Sequence, residues 1–450
     1  MKVYFFTLGC RVNQYETDAA RELFIAEGYD IVASPEEADI CVVNTCTVTG
    51  EADRKSRQQL RKFARISPNA VIVAMGCASE MSDGEVDADI VLGTREKNEV
   101  VRLVEEFIAS RDGKELTHKT YHTRPEVTKH DEFHDFGTVL NPEETRAFVK
   151  IEDGCNQFCS YCIIPFARGR VASRTEANIL AEVWDLSEKG YREVVLSGIH
   201  LCSYGKDRGE DIMSLLRLIT KINDIPGIKR IRLGSLEPLS MTPEFIEGLG
   251  KVDKLCPHFH LSLQSGSDTV LQRMNRKYTA AQYKDRVDRL RAIYPTMQLT
   301  TDIICGFPGE TEEEFEQTKL YVQEVGLNKI HVFPYSVREG TVAAKMEQLP
   351  SGVGHERTRQ LKAWSEVREE EYAKSFVGTK TTVLLEQALT DFTYSGYTPE
   401  YVKTIVEAAP VAEEFGPGSI VEVEVVSYEK NVLTCRMLDV IDGGSYESSY

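Results

Sequence analysis

The apolar positions of this chain fall in short runs separated by longer stretches of mixed polarity. KVYFFTLG (2–9), ADICVVNT (38–45), AVIVAMG (70–76) and ADIVLG (88–93) are nearly continuous in apolar and β-branched residues, as strands buried on both faces are. Between them the spacing turns helical over 13–27, over 51–66 and from Lys97, with charged outer faces. Alternation of this kind predicts an open parallel sheet covered by helices.

A second series starts at Ala147. AFVKIE, EVVLSG, KRIRLGS, HFHLSLQ, MQLTTDIICG and KIHVFPY alternate with helical stretches over 175–189, 211–222, 243–249, 268–274, 280–293 and 312–325. Six strand–helix units in a row predict a parallel sheet curved into a partial (β/α)6 barrel, whose chemistry belongs on the loops after the strands. After a charged helix over 355–374 the period changes to two. VGTKTTVLLEQ, EYVKTIVEA and GSIVEVEVVSYEKNVLTCRML read as a small antiparallel β-barrel. The expected fold class is therefore α/β with a terminal barrel. The expected domains are an N-terminal one over 1–112, a linker over 113–143, a barrel core over 144–374, a terminal barrel over 375–441 and a tail over 442–450.

Composition adds three constraints. No apolar run approaches a membrane span, and the short start MKVYFFTLGC lacks an export signal, so no membrane partner and a cytoplasmic place are expected. Eleven cysteines in an unexported chain favour ligands and buried thiols over disulfides. The formal net charge of −18 sits awkwardly with a nucleic-acid partner, although a local basic patch can serve within an acidic chain.

The candidate chemistry centres on EDGCNQFCSYCIIPFARGR, where Cys155, Cys159 and Cys162 form a C-x3-C-x2-C run. Three thiolates on one short loop are a metal-ligand set. Uneven spacing suits an iron–sulfur cluster with one open iron; a zinc knuckle with a distant fourth ligand is the alternative. Cys10, Cys46 and Cys77 each end one of the first three predicted strands, so one sheet rim receives a second set of three. Cys41 lies within a strand and reads as core. Cys202, Cys256, Cys305 and Cys435 read as buried or incidental thiols. In EADRKSRQQLRKFAR the bases Arg54, Lys55, Arg57, Arg61, Lys62 and Arg65 make a helix that is either a solvated face or a phosphate contact. His118, His122, His130 and His134 cluster in the polar linker without a metal-binding spacing.

The cysteine run resembles the cluster loop of radical S-adenosylmethionine (SAM) enzymes, and CSYCIIPFARG with Ser173 and Arg174 resembles their methylthiotransferase branch. That resemblance covers nearly the whole chain. It implies a [4Fe-4S] cluster on Cys155, Cys159 and Cys162 whose open iron takes SAM, and a second, auxiliary [4Fe-4S] cluster on Cys10, Cys46 and Cys77 that handles the inserted sulfur. It also implies SAM contacts from Gly198, Gln264, Ser265, Asp302 and Gly306; Arg174 and Arg168 are candidates for the SAM carboxylate or a substrate phosphate, with a surface ion pair as the alternative. Glu237 matches a family segment, while Gly234 stands where a serine is expected. The terminal barrel is similar to a TRAM domain, an OB-like module that grips RNA. From Phe376 onward the chain carries only Lys380, Lys403, Lys430 and Arg436 against twelve acids, which suits a basic protein better than phosphate.

LGCRVNQYETDA resembles the branch that methylthiolates threonylcarbamoyladenosine 37 of tRNA at carbon 2. That reading implies tRNA, an electron donor and a sulfur source as partners, with Arg54, Lys55, Arg57, Arg61 and Lys62 as RNA contacts. The alternatives are methylthiolation of an aspartate in a basic ribosomal protein, which the charge favours, and an iron–sulfur redox sensor that binds nucleic acid.

Overall fold

The computed structural model describes residues 1–82, 86–111, 132–408 and 415–443. His118, His122 and His130 lie outside these residues, as does most of the expected linker. Its first unit contains β1 (Lys2–Thr7), α1 (Arg11–Ala26), β2 (Asp30–Ile31), β3 (Ile40–Thr45), α2 (Gly50–Ile66), β4 (Val71–Gly76), α3 (Cys77–Glu80), β5 (Ile90–Leu92) and α4 (Val100–Arg111). The five strands form one parallel sheet in the order β2-β1-β3-β4-β5. β3 and β4 are buried along their whole length, which is why their sequences run apolar without alternation. The two-residue β2 has no apolar run to announce it, so the cysteine-bearing strands are the first, third and fourth.

The second unit contains β6 (Arg146–Lys150), β7 (Glu152–Asp153), α5 (Ile164–Arg168), β8 (Ala172–Ser173), α6 (Glu176–Glu188), β9 (Glu193–Ser197), α7 (Met213–Asn223) and β10 (Arg230–Leu233). It continues with α8 (Pro243–Leu249), β11 (His258–His260), α9 (Asp268–Arg273), α10 (Ala280–Ile293), β12 (Gln298–Cys305), α11 (Glu312–Val325), β13 (Lys329–Pro334) and α12 (Ser351–Lys374). Two three-stranded parallel sheets, β6-β9-β10 and β11-β12-β13, are joined by the bridges Ile231–Leu255 and Leu236–Leu261 into one curved layer. The result is the six-stranded partial barrel expected. Among the described residues its edges β6 and β13 do not pair; α1 lies against β6 and α12 against β13. Thr279 and Thr311 cap α10 and α11 with full capping boxes, which explains why those two helices start where the sequence suggests.

The third unit, β14 (Lys380–Thr390), β15 (Thr393–Tyr397), β16 (Lys403–Glu407), β17 (Ile420–Glu429) and β18 (Val432–Asp442), is a closed five-stranded barrel. One correction applies to the antiparallel expectation: β16 and β18 close the barrel as a parallel pair. This barrel docks on the N-terminal ends of the core strands. Arg146, at the start of β6, pairs with Glu386 at 2.6 Å, and Arg230, at the start of β10, donates to the Tyr397 carbonyl at 3.0 Å. No helix among the described residues is long and apolar enough to cross a membrane.

Candidate active site

The C-x3-C-x2-C loop is held shut at its base and pinned at its tip. β7 and β8 pair Glu152 with Ser173 and Asp153 with Ala172, so the chain leaves and returns through a two-stranded clamp. Gly154 sits inside it at φ +77°, where a Cβ would stand 2.0 Å from the Arg170 carbonyl oxygen. The Cys155 amide donates to the Gly169 carbonyl at 3.1 Å. At the tip, Ser160 donates from its amide to the Met274 carbonyl and from its hydroxyl to the Arg273 carbonyl, at 3.0 and 2.8 Å. Arg276 donates to the Cys159 sulfur at 3.3 Å.

Burial pushes the Cys155 thiol far up and the Cys162 thiol up to about 12, and each of the two also feels the charge of Cys159. Such thiols stay protonated at neutral pH until a metal centre supplies positive charge, so loading releases protons. The adjacent Arg276 cation compensates the charge of a ligated thiolate. These features fit an iron–sulfur cluster.

The second set also converges. Cys10 caps the N-terminus of α1, Cys46 follows β3, and Cys77 opens α3. Gly9, at φ +110°, lies so close to Cys46 that a Cβ there would stand 3.0 Å from its sulfur. Gly76, at φ +109°, is pressed against Asn44 and Thr45 in the same way. Asn13 ties the two rims by donating to the Leu8 and Thr45 carbonyls at 2.7 and 3.1 Å. Burial pushes Cys46 up to about 11, with further contributions from Cys77 and Cys10. Cys46 and Cys77 are buried and Cys10 is exposed. Among the described residues no three His, Cys, Asp or Glu side chains form a set for one metal ion. In a cluster each cysteine binds a different iron, so its sulfurs stand further apart than around a single ion.

Between the two sets lies a buried charge network. Arg168, from the end of α5, donates through Nε to the Cys77 sulfur at 3.1 Å, through Nη1 to Glu16 at 2.8 Å and Asp153 at 3.1 Å, and through Nη2 to Asn13 at 2.7 Å. Lys150 donates to Glu16 at 2.7 Å and to Asp153 at 2.5 Å, and Lys97 pairs with Glu16 as well. Three cations thus face two carboxylates. The network therefore carries one more cation than carboxylates, and the Arg168 guanidinium, which bonds both carboxylates, also touches the Cys77 sulfur. Asp153 is two residues before Cys155, so the network spans both cysteine loops.

A cavity of 880 Å³ runs within the incomplete barrel, lined at one end by Ser197, Gly198 and Asp302 and at the other by Tyr397, Tyr401 and Lys403 of the terminal barrel. Cys10 and Arg11 form part of its wall. His258, His260 and His331 also line it, with His260 3.3 Å from the Asp302 carboxylate. Gly198 stands where a Cβ would meet the Glu152 carboxylate at 2.6 Å, so a side chain there would have to displace that carboxylate. Of the residues expected to contact a cofactor, Gly198 and Asp302 line this cavity.

The other expected SAM contacts lie differently. Gln264 adopts φ 71° and bonds through its backbone to Asp302, whereas Ser265 is buried, 3.3 Å from the Thr318 hydroxyl. Gly306, at φ +71°, packs against Gly354 of α12, where a Cβ would stand 2.6 Å from Gly354 Cα. None of these three lines the cavity. Glu237 caps the turn at Ser240, with 3.0 Å between them. Arg174 is committed elsewhere: buried, it pairs with Glu182 at 2.5 Å and Asp135 at 2.9 Å and donates to the Gly137 carbonyl, clamping residues 135–137 onto α6.

In the basic helix, Arg54 and Lys55 reach Glu51 at 2.6 and 3.8 Å and Arg61 reaches Asp87 at 2.7 Å, all exposed. Lys62 lies over the Phe63 ring. Arg57 alone among the five expected contacts lines a second cavity, of 510 Å³, with Ser56, Ser79 and Arg338. Cys41, Cys202, Cys256, Cys305 and Cys435 are buried thiols, as expected. The sequence reading missed Arg11, the three histidines and the tyrosines. HFHL carried a usable signal, because a period of two puts His258 and His260 on one face of β11.

Six parallel strands curved around a cavity, with three cysteines on the loop after the first strand, define a radical SAM enzyme. Residues 149–322 match the Radical SAM superfamily, and residues 2–93 match a family described as Uncharacterized protein family UPF0004. The chain belongs to the radical SAM methylthiotransferase family. It is 37% identical to the threonylcarbamoyladenosine tRNA methylthiotransferase MtaB of Bacillus subtilis, over 94% of this chain and 93% of that one. It is 38% identical to the MtaB of Aquifex aeolicus, over 86% and 93% of the two chains. The tRNA-2-methylthio-N(6)-dimethylallyladenosine synthase of Thermoanaerobacter is 37% identical over 79% of this chain and 76% of its own. Among solved structures, the radical SAM methyltransferase TsrM of Kitasatospora setae has the same fold, with a TM-score of 0.55 at 15% identity over 74% of this chain and 72% of that one. A radical SAM enzyme works with SAM and a [4Fe-4S] cluster.

Proposed function

We propose that this enzyme inserts a methylthio group at carbon 2 of N6-threonylcarbamoyladenosine 37 in tRNA. The observation that carries the reading is that Cys10, of the second cysteine set, shares one cavity with Gly198 and Asp302 of the barrel, in a chain similar over nearly its whole length to enzymes of that name. Cys155, Cys159 and Cys162 hold the cluster that binds SAM, and Cys10, Cys46 and Cys77 hold a second [4Fe-4S] cluster. When bound, these groups supply the one-electron chemistry that an adenine C–H bond requires, since that bond is too weakly acidic for a general base at neutral pH. An external electron donor and a sulfur source complete the reaction.

The chain's own residues supply position. Arg168 holds the Cys77 sulfur and ties it to the first loop through Asp153. Tyr397 and Tyr401, stacked on each other with centroids 4.7 Å apart and flanked by the Arg146 and Arg232 guanidiniums, narrow the cavity against water, and the histidines beside them offer ring surface to a flipped base. The acidic terminal barrel presents one of its four bases to this side, Lys403, which lines the cavity; Lys430 pairs with Glu429 at 3.3 Å. Arg436 is occupied by Glu424.

The test is mass spectrometry of tRNA nucleosides and ribosomal proteins from cells lacking the gene, complemented with wild type or Cys10→Ala. The reading requires methylthio-threonylcarbamoyladenosine to return with wild type and not with Cys10→Ala. Restoration by the variant refutes the second-cluster assignment. Loss of a methylthio group from a ribosomal protein, with tRNA unchanged, refutes the substrate assignment.

A further inference from the structure

Arg11 directly follows the exposed cluster-ligand candidate Cys10 and lies across the open side of the barrel, where β6 and β13 fail to pair. Its guanidinium rests 5.9 Å from the Phe148 ring centre and 6.0 Å from that of Tyr401. Among the described residues it has no ion pair with a carboxylate, although it is partly buried and lines the 880 Å³ cavity. Its charged neighbours do not serve it. Arg146 is taken up by Glu386 at 2.6 Å, and Arg232 and Arg230 share Glu193 at 2.8 and 3.6 Å. Four guanidiniums around Tyr397 and Tyr401 are thus balanced by two carboxylates in these pairs. Asp302 and Glu369, the acids of the cavity wall, are turned to His260 and Lys329. A guanidinium desolvated beside other cations is stabilised by an anion that brings two oxygens.

We propose that Arg11 is the specificity residue of the site and binds the free carboxylate of the threonyl group on N6 of the target adenosine. The inference rests on the substrate reading above. Joining threonine to N6 through its amino nitrogen leaves the carboxylate as the one anionic group the modified base carries. An unmodified adenosine, or one with an isoprenoid on N6, has none. Arg11 is placed for this because carbon 2 must approach Cys10, the adjacent residue, while the base lies against the histidine rings. A fork of guanidinium N–H donors matches a carboxylate in two-point geometry, which a lysine ammonium does not. Lys403, on the far wall, is left for the sugar–phosphate backbone.

The experiment measures the affinity of the full-length, cluster-loaded protein for one tRNA prepared in two forms, with threonylcarbamoyladenosine or unmodified adenosine at position 37. Wild type favours the modified form, and Arg11→Gln loses that preference, with affinity for the modified tRNA falling on the order of tenfold or more and affinity for the unmodified tRNA held. Arg11→Lys retains part of the preference, and it serves as the fold control should Arg11→Gln lose iron. Equal weakening of both forms identifies a phosphate contact and overturns the proposal. An unchanged preference in both variants, or a wild-type preference near one, also overturns it. Failure of wild type to methylthiolate the modified tRNA while still preferring it would instead sink the substrate reading and leave the subsite standing.

Discussion

Glu16 is the residue on which the contact between the two cysteine loops turns, and Glu16→Gln tests this. Its side chain is fully buried one and a half turns after Cys10 and accepts from Lys150 at 2.7 Å and from Arg168 at 2.8 and 3.1 Å, besides its pair with Lys97. Burial pushes this carboxyl up, but Arg168, Lys150 and Lys97 outweigh it and hold the group well below the usual carboxylate range. The substitution keeps size and an acceptor oxygen and removes the charge. Three buried cations then face Asp153 alone.

Removing one member of a buried ion cluster costs about 3–5 kcal/mol, because the partners left behind have no water to turn to. At a few degrees per kcal/mol, the calorimetric transition of the first unit falls by roughly 10 °C. A shift under about 2 °C would refute the reasoning and mean that water or relaxation replaces the carboxylate. The sign with pH follows: the stabilisation is fully present above the ordinary value of 4.5 and is lost as the pH falls through the depressed one. The variant therefore loses the difference between neutral and strongly acid solution.

Two further outcomes are expected. Gly154→Ala forces an αL conformation on a side chain and drives a Cβ into the Arg170 carbonyl, which costs about 3 kcal/mol or more and opens the β7–β8 clamp; iron per chain after anaerobic reconstitution drops toward that of a chain with one cluster, and an unchanged iron content would show the clamp to be dispensable. His200 has a buried Nε2 without a partner among the described residues, and burial pushes its pKa down to about 3, so the folded chain holds it neutral. The unfolded chain takes up a proton below 6.5, hence stability falls as the pH drops from that value, by up to about 1.4 kcal/mol per unit. Urea midpoints between neutral pH and pH about 5 show this slope flattened in His200→Gln; equal slopes would place the histidine's proton elsewhere.

The sequence by itself determined the layers and brought out the candidate ligands. Short apolar runs rich in β-branched residues and bounded by turn residues mark strands covered on both faces, and a cysteine at the end of each rim strand is delivered to the rim whatever the side chains do. Cys10, Cys46 and Cys77 could therefore be grouped from spacing and period alone, as could the C-x3-C-x2-C loop. Which charges do chemistry and which hold the fold was decided only in three dimensions. Arg168 and Arg174 read alike in the sequence, yet one bonds a cysteine sulfur and the other clamps residues 135–137 to α6. The glycines Gly198 and Gly306 also read alike; each is closed by a neighbour, Glu152 for one and Gly354 for the other, and only Gly198 lies at the cavity. The reason is common to both cases. Backbone pattern reflects local burial, whereas the partner of a guanidinium or the space beside a glycine is set by residues more than a hundred positions away, such as Glu16 for Arg168, or brought in by another helix, such as Gly354 for Gly306.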